Sequence, residues 1–139
     1  MAGKTATVFN LASELARKGN KVLVWDLDPQ ASLTSCFGFT YPQHQLYTDD
    51  ILATDKLDVT QAPVKVSENL FLIPTTNGLG GLEGLLSQGE NIKRVKSTLD
   101  KLSHLEFDFV VLDPPGSTDI FMSAALVAAT EVIIPVRPT

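Results

Sequence analysis

The residues best equipped for chemistry stand in two places far apart in the chain. Near the start, Gly3-Lys4-Thr5 opens a stretch of helical spacing and matches the last three positions of the phosphate-loop pattern G-x-x-x-x-G-K-[ST]. Each residue type has a physical reason to be there. Glycine lets backbone amides approach a phosphate, a lysine ammonium neutralises the outer phosphate oxygens, and a hydroxyl joins the shell of Mg2+ at the positive end of a helix. Further on, three aspartates close apolar runs: Asp26 and Asp28 end Val22-Leu23-Val24-Trp25-Asp26-Leu27-Asp28, and Asp113 ends Phe109-Val110-Val111-Leu112-Asp113. Such a strand-end acid can hold a metal through water in a nucleotide site. Gly-Lys-Thr by itself arises by chance in many proteins, and a strand-end aspartate commonly caps a turn. Together they say more, because three carboxylates at one sheet edge repel one another unless a cation lies nearby.

Those acids need strands to hold them. The run from Val22 is apolar on both alternating faces until its acidic end, which reads as a buried parallel strand that Pro29 stops. Leu70 to Pro74 and Phe109 to Asp113 read the same way, and Val132 to Val136 reads as a fourth strand. Between them the spacing predicts helices. Val8, Leu11, Ala12, Leu15 and Ala16 recur on one face between Thr5 and Lys18, with Gly19 as the stop. Short helical turns are expected over 30–37 and 48–53, and helices over 79–86, 92–104 and 122–129. Alternating strands and helices imply a doubly wound, mainly parallel α/β sheet with helices on both faces and ligands bound at the carboxyl ends of the strands.

The same strings resemble a known family. Gly3-Lys4-Thr5 with Asn10-Leu11-Ala12, then Lys21 through Asp28-Pro29-Gln30, Phe107 through Asp113-Pro114-Pro115, Ala125 to Ala129 and Glu131 to Val136 are similar to the ParA/Soj partition ATPases, the ParA/MinD group with a deviant Walker A motif. The Asp-x-Asp-Pro-Gln string is the most specific part. The resemblance implies a P-loop NTPase-like domain with ATP and Mg2+ as cofactors. It implies that Lys4 binds phosphate, that Thr5 ligates Mg2+, and that the amides of Gly3 to Ala6 cradle the phosphates. Asp28 would orient the attacking water, Asp26 would support the metal's water shell, and Asp113 would be the Walker B carboxylate. Pro115-Gly116-Ser117 would form the second switch. The partners implied are a second copy in an ATP-dependent homodimer, a centromere-binding ParB-like protein, and DNA held non-specifically.

The family pattern reads Lys-Gly-Gly-x-Gly-Lys-Thr, whereas here Met1 and Ala2 precede Gly3. Residues 1–139 are therefore expected to be one partial domain, lacking the first strand, the lysine that reaches across the dimer, and the C-terminal segments that contact DNA. An absent neighbouring strand would leave a bare backbone edge and an apolar face uncovered, so the isolated chain is expected to be marginally stable or to associate. A truncated remnant without turnover, acting at most as an interaction module, is the competing reading. A dinucleotide-binding or receiver domain is disfavoured because no Gly-rich fingerprint precedes an acidic strand at the required distance.

Composition narrows the classes further. With 44% hydrophobic and 19% charged residues the chain is globular, and no apolar run approaches the ~20 residues of a membrane span. A net charge of −5 disfavours tight nucleic-acid binding through bulk charge, and the single cysteine agrees with a reducing cytoplasm. Four features carry no chemistry in this reading. The glycines from Gly78 to Gly84 suggest a flexible loop, His44 and His104 suggest surface positions, Cys36 a small core or boundary hydrophobe, and Trp25 core packing.

Overall fold

A four-stranded sheet carries two of the three acids, Asp26 and Asp113, at strand ends, whereas Asp28, expected to close the same strand as Asp26, lies on the bend beyond it. The computed structural model describes residues 2–40, 45–116 and 119–131. Strands β1 (Val22–Asp26), β2 (Val64–Ser67), β3 (Leu70–Ile73) and β4 (Phe109–Asp113) lie in the order β2-β3-β1-β4. β1 pairs in parallel with β3 and β4, while β2 runs antiparallel to β3. Helices α1 (Ala2–Arg17), α2 (Ser32–Cys36), α3 (Thr48–Ala53), α4 (Glu83–Leu86), α5 (Arg94–Lys101) and α6 (Ile120–Ala128) cover the sheet, with 3-10 turns over Asn77–Leu82, Gly89–Lys93 and Ser103–Leu105.

Two apolar layers sandwich the central strand, all five of whose residues are buried. On one side Val8, Ala12 and Ala16 of α1, spaced by one helical turn, pack with Leu33 against Val22, Val24, Leu70 and Leu72. On the other, Leu23, Trp25 and Ile73 meet Ile51 and Leu52 of α3, Leu86, Val95, and Phe121, Ala124 and Ala125 of α6. Each fully buried Leu, Ile or Val contributes about 1.5–3 kcal/mol. Trp25 is core, as expected, and its Nε1 also donates to Thr48 Oγ1 at 2.9 Å.

α1 begins at Ala2, three residues before its expected start, and stops at Gly19. There φ is +95°, Gly19 N donates to Ala16 O, and Asn20 N donates to Leu15 O. Those two bonds close the last turn as a glycine-terminated cap.

Several expectations need correction. β4 is a strand over the expected residues, but it is buried only at its acidic end. Phe109 and Val110 remain 45% and 38% exposed, because among the described residues β4 has a partner on one side alone. β2 was not expected at all: its residues alternate half-buried and exposed over only four positions, and Asn69 at φ +63° turns the chain back into β3. The helix expected over 79–86 is a 3-10 turn followed by one α-turn, and the glycine stretch is not a loose loop, since Leu79 is fully buried and Thr76 caps the turn. The helix expected over 92–104 is likewise divided, with only Arg94–Lys101 α-helical. Cys36 is exposed, because α2 buries Leu33 and Thr34 and turns Cys36 outward. His104 is exposed. The strand expected over 132–136, His44 and Ser117 lie outside the described residues.

Candidate functional site

Parallel pairing of β1 and β4 sets Asp26 opposite Asp113, so two acids end neighbouring strands at the same level. Both are completely buried. The first turn of α1 lies over this end of the sheet and brings its polar side chains down to it. Lys4 Nζ donates to Asp113 Oδ1 in an ion pair, and Thr5 Oγ1 donates to Asp113 Oδ2 at 3.3 Å. The Lys4 side chain keeps 17% of its surface exposed, so the ammonium is reachable from outside while its carboxylate partner is not. Two residues more than a hundred positions upstream of Asp113 thus share one carboxylate with it. That juxtaposition is the one Gly-Lys-Thr and an acidic strand end suggested.

Asp26 is held differently. Its Oδ1 accepts from Asp28 N at 3.1 Å, and its Oδ2 accepts from Thr34 N at 2.9 Å and Thr34 Oγ1 at 2.7 Å. Burial pushes this carboxyl up from 3.8 to about 6; the bonds from Thr34 and Asp28 pull the other way, and the charge of Asp113 adds to the rise. Asp28 follows at the bend beyond β1, half-buried. Its Oδ1 accepts from Gln30 N at 2.9 Å and its carbonyl accepts from Ala31 N at 2.8 Å. The bend closes on Ala31 in the left-handed region at φ 55°.

The remaining expected residues border the same end of the sheet. Gly3 is exposed, and a Cβ built on it meets nothing within 4 Å, so open space lies above the first turn of α1. Ala6 is exposed one turn further along. Pro115 is buried and Gly116 exposed just beyond Asp113. The structure therefore gathers Lys4, Thr5, Asp26 and Asp113 into one cluster, with Asp28 tied to it through Asp26.

Thr34, Thr48 and Thr75 were residues the sequence did not single out. Thr34 grips Asp26 and also accepts from Thr75 N at 3.1 Å. Thr48 Oγ1 donates to Asp26 O at 2.8 Å while accepting from Trp25. All three threonines are fully buried. The available signal was a polar residue set directly beside an apolar one at the edge of the core, as in Leu33-Thr34.

Among the described residues no three His, Cys, Asp or Glu side chains converge to hold a metal ion. The donors present are one hydroxyl and one carboxylate beside an ammonium and the free amides of a helix start. That set suits a small hard cation which retains water and takes further oxygens from a phosphate.

A mixed, mainly parallel α/β sheet with a Gly-Lys-Thr helix start against an acidic strand end defines a P-loop NTPase-like protein. The family model described as an AAA domain matches residues 2–139, and the chain belongs to that family. It is 34% identical over 136 residues to the sporulation initiation inhibitor protein Soj of Bacillus subtilis, covering 97% of this chain and 53% of that protein. It is also 34% identical to the chromosome-partitioning ATPase Soj of Thermus thermophilus, over 97% of this chain and 50% of that one. Among solved structures, cobyrinic acid a,c-diamide synthase from Mycobacterium smegmatis with bound ADP and magnesium superposes with a TM-score of 0.83 at 30% identity, covering 93% of this chain and 52% of that one. A variant of Cyanothece McdA in complex with ATP gives 0.83 at 30% identity, covering 91% and 48%. Within the family the chain is thus a relative of the Soj/ParA ATPases, and it spans about half the length of the curated relatives it matches.

Proposed function

We propose that this chain is the nucleotide-site portion of an ATP-binding, ATP-hydrolysing partition protein that acts as a switch in plasmid or chromosome segregation. The observation that carries this reading is the shared hold of Lys4 and Thr5 on Asp113, beside Asp26. In the absence of nucleotide Lys4 neutralises Asp113. With nucleotide its ammonium turns to the phosphates, and the amides of Gly3 to Ala6 bind their oxygens. Thr5 and Asp113 would hold Mg2+, which supplies charge neutralisation across the β- and γ-phosphates when bound. Asp26 supports the metal's water shell through its charge, Asp28 orients the attacking water, and Pro115 and Gly116 shape the second switch. This is catalysis by positioning and electrostatics, without a covalent intermediate.

The same reading gives the whole protein its partners: a second copy in an ATP-dependent homodimer, a ParB-like centromere-binding protein, and DNA held through segments outside this chain. It also places the protein in the cytoplasm, associated with the nucleoid in its ATP state. None of the described helices is long and apolar enough to cross a membrane. The test is titration of labelled ATP with Mg2+ against the chain, followed by single-turnover hydrolysis. Lys4→Ala is expected to abolish binding. Asp28→Ala is expected to keep affinity within about threefold and slow hydrolysis by about 100-fold or more. Binding without turnover in the parent chain would favour the remnant reading, and equal turnover in parent and Asp28→Ala would remove Asp28 from its role.

A further inference from the structure

Asp28 sits on a bend whose anchorage is unusually specific. The loop leaves β1 at Asp26 and enters α2 at Ser32, and its two ends are joined by a single side chain. Asp26 Oδ1 takes the amide of Asp28, and Asp26 Oδ2 takes both the amide and the hydroxyl of Thr34, so one buried carboxylate clamps the loop eight residues apart. The clamp is fastened to a second strand as well. The Thr34 hydroxyl, having donated its only proton to Asp26, accepts from the amide of Thr75 just beyond β3. A threonine is the right size for this: one O–H donor, spare acceptor capacity, and a methyl that stays in the core.

We infer that Thr34 is a positioning residue for hydrolysis: through Asp26 it sets the bend that presents Asp28, and through Thr75 it ties that bend to β3. The inference rests on the reading of Asp28 as the water-orienting acid. Thr34 does not touch the phosphates in this arrangement, since the groups assigned to them are Lys4, Thr5 and the first-turn amides. Its loss should therefore leave nucleotide affinity alone and show in the chemical step. A displacement of about 1 Å at a reacting group costs up to about 100-fold in rate.

The experiment compares Thr34→Val, which keeps shape and removes the hydroxyl, with Thr34→Ser, which keeps the hydroxyl and removes the methyl. Thr34→Val is expected to lower kcat by about 10- to 100-fold with KM and Mg-ATP affinity within about twofold, and Thr34→Ser to recover kcat to within about threefold of the parent. Amide hydrogen exchange of the nucleotide-free chain gives a reading independent of turnover. In Thr34→Val the amides of Asp28 and Thr75 are expected to exchange at least about tenfold faster, while the β1–β3 ladder is unchanged. Unchanged exchange at both amides, or equal losses in kcat and affinity, would overturn the inference. Faster exchange in Thr34→Val, together with a parent chain that never hydrolyses ATP, would leave the clamp standing and overturn the proposed activity instead.

Discussion

Burial of Asp26 gives the site a pH signature that can be worked out from one group. Its carboxyl is pushed up from 3.8 to about 6 because a completely buried charge is costly and Asp113 stands beside it. The folded chain then binds this proton more tightly than the unfolded chain. The contribution of Asp26 to stability is greatest below about pH 4, falls as pH rises towards about 6, and carries a constant penalty above that. A rise of this size corresponds to roughly 3 kcal/mol between the two ends of the window. Asp26→Asn removes the proton but not the shape, so the difference in unfolding free energy between parent and variant, measured by urea titration at pH steps from 4 to 7, should slope through that window and flatten above it. A difference that stays constant with pH would mean that Asp26 is not perturbed. At this scale the acids could be read because each ends an apolar string. Thr34 could not, because its partners lie eight and forty-one positions away and threonine is common in any chain.

Among the elements, two glycines of the same helix separate a folding role from a binding role. Gly19 closes α1 at φ +95°, a conformation that costs an L side chain about 1 kcal/mol, whereas the missing Cβ of Gly3 faces open space. Gly19→Ala should lower stability by about 1 kcal/mol and leave Mg-ATP affinity unchanged. Gly3→Ala should leave stability equal or slightly raised, since alanine is the better helix former, while weakening Mg-ATP binding by crowding the phosphates. Urea melts and ATP titrations on both variants read the two effects separately, and parallel losses in both would refute the division. Most elements that were legible share one property: they bury a full face or stripe. α1, β1 and β3 announce themselves through Val8-Ala12-Ala16 and the Val- and Leu-rich runs, and β4 by its apolar run alone, since only its acidic end is buried. β2 buries only half of each alternate residue, and the stretches around Gly78 and Gly89 take 3-10 geometry, whose short bonded turns leave no 3.6-residue pattern to find.

At the scale of the whole molecule, the sheet formed by the described residues is finished on one side and open on the other. The β2 edge is short, half-exposed and bulged between Lys65 and Ser67, features that discourage further pairing. The β4 edge is the reverse. Val111 packs with the α1 layer and Leu112 with the opposite one, so by alternation Phe109 and Val110 face opposite layers. Both are exposed, and on α6 Leu126 and Val127 are 49% and 42% exposed. A strand apolar on both faces is built for the interior of a parallel sheet. With one side unpartnered among the described residues, it offers backbone donors and acceptors together with apolar side chains to any second strand. The isolated chain should therefore self-associate as concentration rises, and its thermal midpoint should depend on concentration. Val110→Lys places a charge on that edge three residues before Asp113. It should shift sedimentation towards monomer while Mg-ATP affinity stays within about twofold, since charged edge residues block strand addition without touching the nucleotide cluster. A parent chain that sediments as a monomer throughout, with a sharp two-state melt insensitive to concentration, would show that this edge is already satisfied.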